Sequence, residues 1–361
     1  MPSSPQYTVS ASFEAARQLA ARSDGHATQR LHGHSFQATL RCTAGTGLAA
    51  FPGDEVQALQ ARLRAATDQL DYQHLNTVLP SPSDTALAQW LHAQCAVDGP
   101  AVLELQSTLQ QGVELHYASR DAAPTTRVWR RYVFQSAHRL PHVPAGHKCG
   151  NMHGHGFEAI LHSTHAGGDV DATRAYAELD ACWAPIQAQL HHACLNELPG
   201  LENPTSEVLS SWIWARLKPT LAALCQVTVF ETASCGAVFD GHQYQIWKDF
   251  TLDSAVRLKA APAGEPRARL HGHTYTLRLH LRAPLDQVMG WTVDFGDVKE
   301  LFTPIFKTLD HQPLYQIPDL ADCDTATLAA WVLDKSRRAL PQVCRVDLFE
   351  TRGCGASVSA A

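Results

Sequence analysis

The chain has 361 residues, with 45% hydrophobic and 18% charged residues and a formal net charge of −6. That length is roughly two to three typical domains, and the composition supports packed cores and excludes a largely disordered or collagen-like chain. The acidic balance argues against nucleic acid as the main partner. No stretch approaches ~20 uninterrupted apolar residues, and the opening MPSSPQYTVS lacks the basic-then-apolar pattern of a signal peptide, so a cytoplasmic protein with no membrane partner is expected. Ten cysteines without CxxC pairs read as small buried hydrophobes, whereas 20 histidines are unusual, and their placement carries the chemistry.

In chain order, residues 7–17 predict a strand. A second strand follows His32-Gly33-His34, where Phe36, Ala38 and Leu40 take alternate positions. The pair recurs about 120 residues later, as 128–138 and then His153-Gly154-His155 with Phe157, Ala159 and Leu161. It recurs again as 245–256, followed by His271-Gly272-His273 with Tyr275, Leu277, Leu279 and Leu281. Trp90, Trp212 and Trp331 keep the same step, as do Phe230-Glu231-Thr232 and Phe349-Glu350-Thr351. A period of this length is a domain, which predicts three modules over 1–123, 124–242 and 243–361 with junctions in 120–127 and near 241–243.

Two helices are expected within each module. The first is clearest in the third module, where Val298, Leu301, Phe302, Ile305, Phe306 and Leu309 follow helical spacing. For the second, Asn203 and Pro204 suit N-cap and N1, and Val208, Leu209, Trp212, Ile213 and Leu217 make an apolar face. Final strands at 227–230 and 343–349 complete a ββααββ order, which favours an α+β fold with helices on one face of an antiparallel sheet.

Residues i and i+2 of a strand project to one face, so both histidines of His-Gly-His can converge on one ion; such a pair can equally pack or hydrogen-bond. The second module adds a third imidazole, because its preceding strand ends in Ser136-Ala137-His138. Three histidines with an open fourth position describe a catalytic zinc site, with Zn²⁺ held by His138, His153 and His155. Cys149 stands four residues before His153. Zinc and Lys148 nearby favour its thiolate as a base, while a fourth zinc ligand or an inert thiol are the alternatives.

The motifs 134–141, His147-Lys148-Cys149-Gly150-Asn151-Met152-His153-Gly154-His155, 201–207 and Phe230-Glu231-Thr232 closely resemble the 6-pyruvoyltetrahydropterin and 6-carboxytetrahydropterin synthase family. The three-residue gap between cysteine and His-Gly-His resembles the carboxy branch, which feeds 7-deazapurine (queuosine) biosynthesis. The resemblance implies a tunnelling (T-fold) architecture: three modules in a pseudo-trimeric ring, antiparallel sheets inside, helices outside, and two rings stacked, here as a homodimer of chains. It implies a zinc-dependent lyase acting on 7,8-dihydroneopterin triphosphate, with release of triphosphate and a two-carbon aldehyde. On that basis Cys149 moves protons on the substrate side chain, Glu231 anchors the pterin, and Arg139 and Lys148 are candidates to meet the triphosphate. The pyruvoyl synthase reaction, a related pterin side-chain cleavage, and a non-catalytic pterin- or zinc-binding scaffold are the competing functions.

The resemblance also implies an Asp-His pair from the neighbouring module as a proton relay. The second module has His191-His192 there, whereas the third has Asp310-His311. The third has in turn lost the zinc site, with Val256 and Arg267 at the strand-histidine and cysteine positions, and the first carries Arg17 and Thr28 there and Asp71-Tyr72 at the pair. The complementary losses predict one site shared by the second and third modules, with Asp310 and His311 completing it. Asp310→Ala should then abolish turnover at near-normal zinc content; full activity would leave His191 and His192 as the relay. His32, His34, His271 and His273 are expected to be hydrogen-bonded remnants.

Overall fold

The structure is a computed structural model that describes residues 4–19, 27–45 and 47–361. The first module contains β1 (Gln6–Arg17), β2 (His32–Thr43), α1 (Glu55–Thr67), a short β3 (Gln73–His74), α2 (Asp84–Cys95), β4 (Ala101–Thr108) and β5 (Gln111–Tyr117). The second repeats the order with β6 (Thr125–His138), β7 (His153–Ala166), α3 (Ala172–Leu190), a short β8 (Ala193–Cys194), α4 (Ser206–Leu217), β9 (Leu224–Thr232) and β10 (Cys235–Phe239). The third has β11 (Tyr244–Val256), β12 (His271–Arg282), α5 (Phe295–Leu309), α6 (Thr325–Ala339), β13 (Val343–Thr351) and β14 (Cys354–Ser359).

Strands pair antiparallel in the order β1-β2-β4-β5-β6-β7-β9-β10-β11-β12-β13-β14, and β14 returns to β1, so twelve strands close into one barrel. Closure leaves no long edge strand to template aggregation. The short β3 and β8 add in parallel to β1 and β6, and the third module has a single bridge, Ala255 to Pro313, in that place.

Alternation along the strands decides which face the helices cover. Phe36, Ala38 and Leu40 of β2 are fully buried in one core with Leu59 and Leu63 of α1 and Leu87 and Leu91 of α2. Tyr275, Leu277 and Leu279 of β12 pack likewise with Phe302 of α5 and Val332 of α6. Two local expectations change. The N-cap of α4 is Thr205, whose hydroxyl accepts the Val208 N–H at 3.2 Å, so Asn203 and Pro204 precede the helix. Leu301 is exposed, because the buried stripe of α5 runs through Val298, Phe302 and Leu309 and leaves it at the margin. Among the described residues no helix is long and apolar enough to cross a membrane.

The register fixes the chemistry-bearing positions. His138 lies opposite His153, Arg17 opposite His32, and Val256 opposite His271. Each module therefore places a different residue at one geometric point.

Candidate metal and catalytic site

His138, His153 and His155 converge so that their ligand atoms lie within 4.8 Å of one another. His138 Nδ1 bonds the Pro204 carbonyl at 3.1 Å and His153 Nδ1 the Asn151 carbonyl at 2.8 Å, which fixes Nδ1 as the protonated nitrogen and frees Nε2. The buried Nε2 atoms of His138 and His155 have no hydrogen-bond partner. Buried polar atoms left unpaired are costly, and a metal ion bound between them would resolve that cost. Burial holds the His138 imidazole down to about 4 and shifts His155 the same way, so both stay neutral and ligand-competent. The residues fit zinc: three imidazoles converge, two of them oriented by backbone carbonyls.

His153 and His155 open onto a cavity of about 750 Å³ between the second and third modules. The second contributes Cys149, Lys148, Glu207 and Glu231, and the third contributes Lys248, Trp291, Asp294 and Lys299. Glu231, on β9, lies 3.6 Å from His155 Nε2, and burial, reinforced by Glu207, pushes its carboxyl up to about 7. Glu207 accepts the Thr292 N–H at 2.8 Å and the Thr292 hydroxyl at 3.1 Å, stitching the two modules together across the cavity. Burial and Glu231 raise the Cys149 thiol, against the pull of Lys148, so without the ion the thiol is favoured over the thiolate expected from sequence. Lys148 lines the cavity; Arg139 is not among its lining residues. Sequence reasoning missed Lys248 and Lys299, which come from another module and follow no local motif, and gave Asp294, within the motif Trp291–Phe295, no role in this cavity.

Asp310 and His311 are not brought to this cavity. They pair with each other at 3.0 Å beyond the C-terminal end of α5, whereas Asp294, at its N-terminal end, faces the cavity; fifteen helical residues put about 22 Å between the two ends. The aspartate also has a backbone role. Asp310 Oδ1 accepts the Asp253 N–H at 3.0 Å, Asp71 Oδ1 the Glu14 N–H at 2.8 Å, and His191 Nδ1 the Gln135 N–H at 3.2 Å. His191 thus replaces aspartate as acceptor, which accounts for its presence in the second module. The next residue is left-handed each time, Tyr72, His192 and His311 at φ 53, 59 and 55°, anchored by its N–H to the carbonyl of Glu14, Gln135 or Asp253.

The sequence model of the 6-pyruvoyl tetrahydropterin synthase family matches residues 6–116, 127–242 and 245–361. The chain belongs to this family. Among its relatives, the 6-carboxy-5,6,7,8-tetrahydropterin synthase of Synechocystis sp. is 32% identical over 117 residues, covering 30% of this chain and 89% of that protein. A dihydroneopterin monophosphate aldolase of Pyrococcus furiosus is 31% identical over 84 residues, covering 22% of this chain and 70% of that protein. Of solved structures, the Caenorhabditis elegans 6-pyruvoyl tetrahydropterin synthase matches with TM-score 0.30 and 18% identity, over 32% of this chain and 95% of that one.

The other two copies of the family module carry other side chains at the equivalent positions. In the first, the Arg17 guanidinium stands at the third-ligand position, 2.6 Å from Asp84 and 3.3 Å from His34 Nε2, with both ion-pair side chains only 3% exposed. A guanidinium cation thus stands where the second module has its third imidazole. In the third, Val256 is buried and offers no ligand. Arg267, at the cysteine position, bonds Asp54 at 2.6 Å and Gln57 at 2.8 Å. Glu350, the counterpart of Glu231, accepts from Gln57 at 2.5 Å and Thr325 at 2.6 Å, so side chains of the protein occupy it.

Proposed function

We propose that the chain is a zinc-dependent lyase that converts 7,8-dihydroneopterin triphosphate and one water to 6-carboxy-5,6,7,8-tetrahydropterin, triphosphate and acetaldehyde, at one site between the second and third modules. The observation that carries this reading is the convergence of the histidine triad, Cys149 and Glu231 on one cavity, in the module whose motifs are most complete. The 32% identical carboxytetrahydropterin synthase supports the choice of product.

Held by His138, His153 and His155, zinc supplies Lewis acidity toward the side-chain oxygens of the substrate. Glu231 receives the ring N–H groups of the pterin, a charge-assisted contact that compensates its buried carboxylate. Cys149 exchanges protons at the side-chain carbons, and Lys148, Lys248 and Lys299 offer cations to the triphosphate. We read the barrel as the three-module ring in a single chain, with a homodimer as the assembled form. Leu31, Met152 and Leu270, each just before a His-Gly-His, are large, exposed and equivalent in the repeat, which supports a contact at that rim.

Incubation with 7,8-dihydroneopterin triphosphate tests the reaction: acetaldehyde with 6-carboxytetrahydropterin supports it, while 6-pyruvoyltetrahydropterin or an unchanged substrate refutes it. For Asp310 and His311 to act they must reach substrate from outside the cavity walls, so Asp310→Ala tests that assignment. Abolished turnover at unchanged zinc content supports it, and full activity removes it.

A further inference from the structure

Cys149 lies in a loop that the third module meets through His142, whose Nδ1 donates to the Val288 carbonyl at 2.5 Å, and, nearer the thiol, through His147. His147 Nδ1 accepts the Cys149 backbone N–H at 3.2 Å, so in the neutral ring the proton resides on Nε2. That Nε2 faces Asp294 Oδ2 of the third module at 3.6 Å. The other oxygen, Oδ1, caps α5 by accepting the Gly296 N–H at 2.6 Å and the Asp297 N–H at 3.2 Å, so helix and carboxylate are fixed together. Both residues line the cavity, and both side chains are largely buried.

The same juxtaposition recurs where the chemistry has been lost. At the junction of the third and first modules Arg267 takes the place of Cys149, and it bonds both Glu265, at the His147 position, and Asp54, which precedes α1 as Asp294 precedes α5. The acid ahead of the first helix of one module thus meets the loop before His-Gly-His of the previous one at two junctions. Of these two junctions, the one between the second and third modules sets it against a histidine two residues from a cysteine.

We propose that Asp294 and His147 act as one unit that positions Cys149, so that the third module completes the reactive loop of the second; the role in turnover rests on reading this cavity as the lyase site. Asp294 holds the imidazole in the tautomer that accepts the Cys149 N–H, and the imidazole holds the backbone that carries the thiol.

Asp294→Asn tests this, because asparagine keeps an oxygen for the helix cap but sets an N–H donor in place of the carboxylate oxygen that faces His147 Nε2. His147→Ala removes the acceptor. In the purified full-length protein, the rate at which iodoacetamide modifies Cys149, followed on its own peptide by mass spectrometry, should change at least about threefold in each variant, and the double variant should go no further than the larger single effect. Turnover of 7,8-dihydroneopterin triphosphate should fall about tenfold or more in kcat, with KM and zinc content held. An unchanged modification rate in either variant, or effects that multiply in the double variant, overturns the proposal. If the wild-type protein does not turn over the triphosphate but the modification rates remain coupled, the reaction assignment fails and the positioning unit stands.

Discussion

Asp84→Asn isolates the buried ion pair that stands at the third-histidine position of the first module. Arg17 and Asp84 form a buried pair at 2.6 Å, and Asp84 Oδ2 also accepts from the Ser107 hydroxyl at 2.8 Å and from Tyr176 of α3 at 2.7 Å. Burial alone would raise the Asp84 carboxyl, but Arg17 and the two hydroxyls outweigh it and hold it below the ordinary range. A depressed pKa contributes stability that is present above the unfolded value, about 3.9, and is lost as pH falls through the folded value. The pair is therefore fully stabilising at neutral pH and fails only in acid. Asparagine keeps the shape and an acceptor but leaves the Arg17 charge buried without a counterion, which costs about 3–5 kcal/mol. With the closed barrel unfolding as a unit, that lowers Tm by roughly 4–7 °C. Scanning calorimetry at pH 7 measures it, and Arg17→Met with Asp84→Leu, which removes both charges, should recover most of the loss. A Tm for Asp84→Asn within about 1 °C of wild type would refute the reasoning.

Other outcomes follow from the same geometry. Arg17→His places an imidazole opposite His32 in the register that His138 has with His153, so zinc content should rise from one to two per chain by elemental analysis. An unchanged content would show that the first module no longer offers the geometry. Glu231→Gln should abolish pterin binding measured by calorimetric titration, whereas Glu350→Gln, at a carboxylate already engaged by Gln57 and Thr325, should leave it intact. Equal losses in both variants would contradict the assignment of a single open site.

Much of this was legible in the sequence because it is local. The repeat, the strands flanking each His-Gly-His and the third histidine follow from spacing alone, and the observed register aligns them as alternation requires. What escaped is what the barrel brings together from afar. Asp294 caps α5 in the third module, and closure of β10 against β11 carries it to the Cys149 loop. The family resemblance implies a relay at Asp310-His311, but its carboxylate is also a backbone acceptor, a role that leaves no mark in the sequence because His191 performs it too. Arg17 and Arg267 read as losses; in the structure they are replacements that fill the vacated positions.

The claim that one module holds the chemistry while the other two close the ring is tested most directly by counting zinc in the purified full-length protein. One ion per chain, reduced to none by His138→Ala, is the predicted result. Two or three ions per chain, or one that survives that substitution, would contradict it.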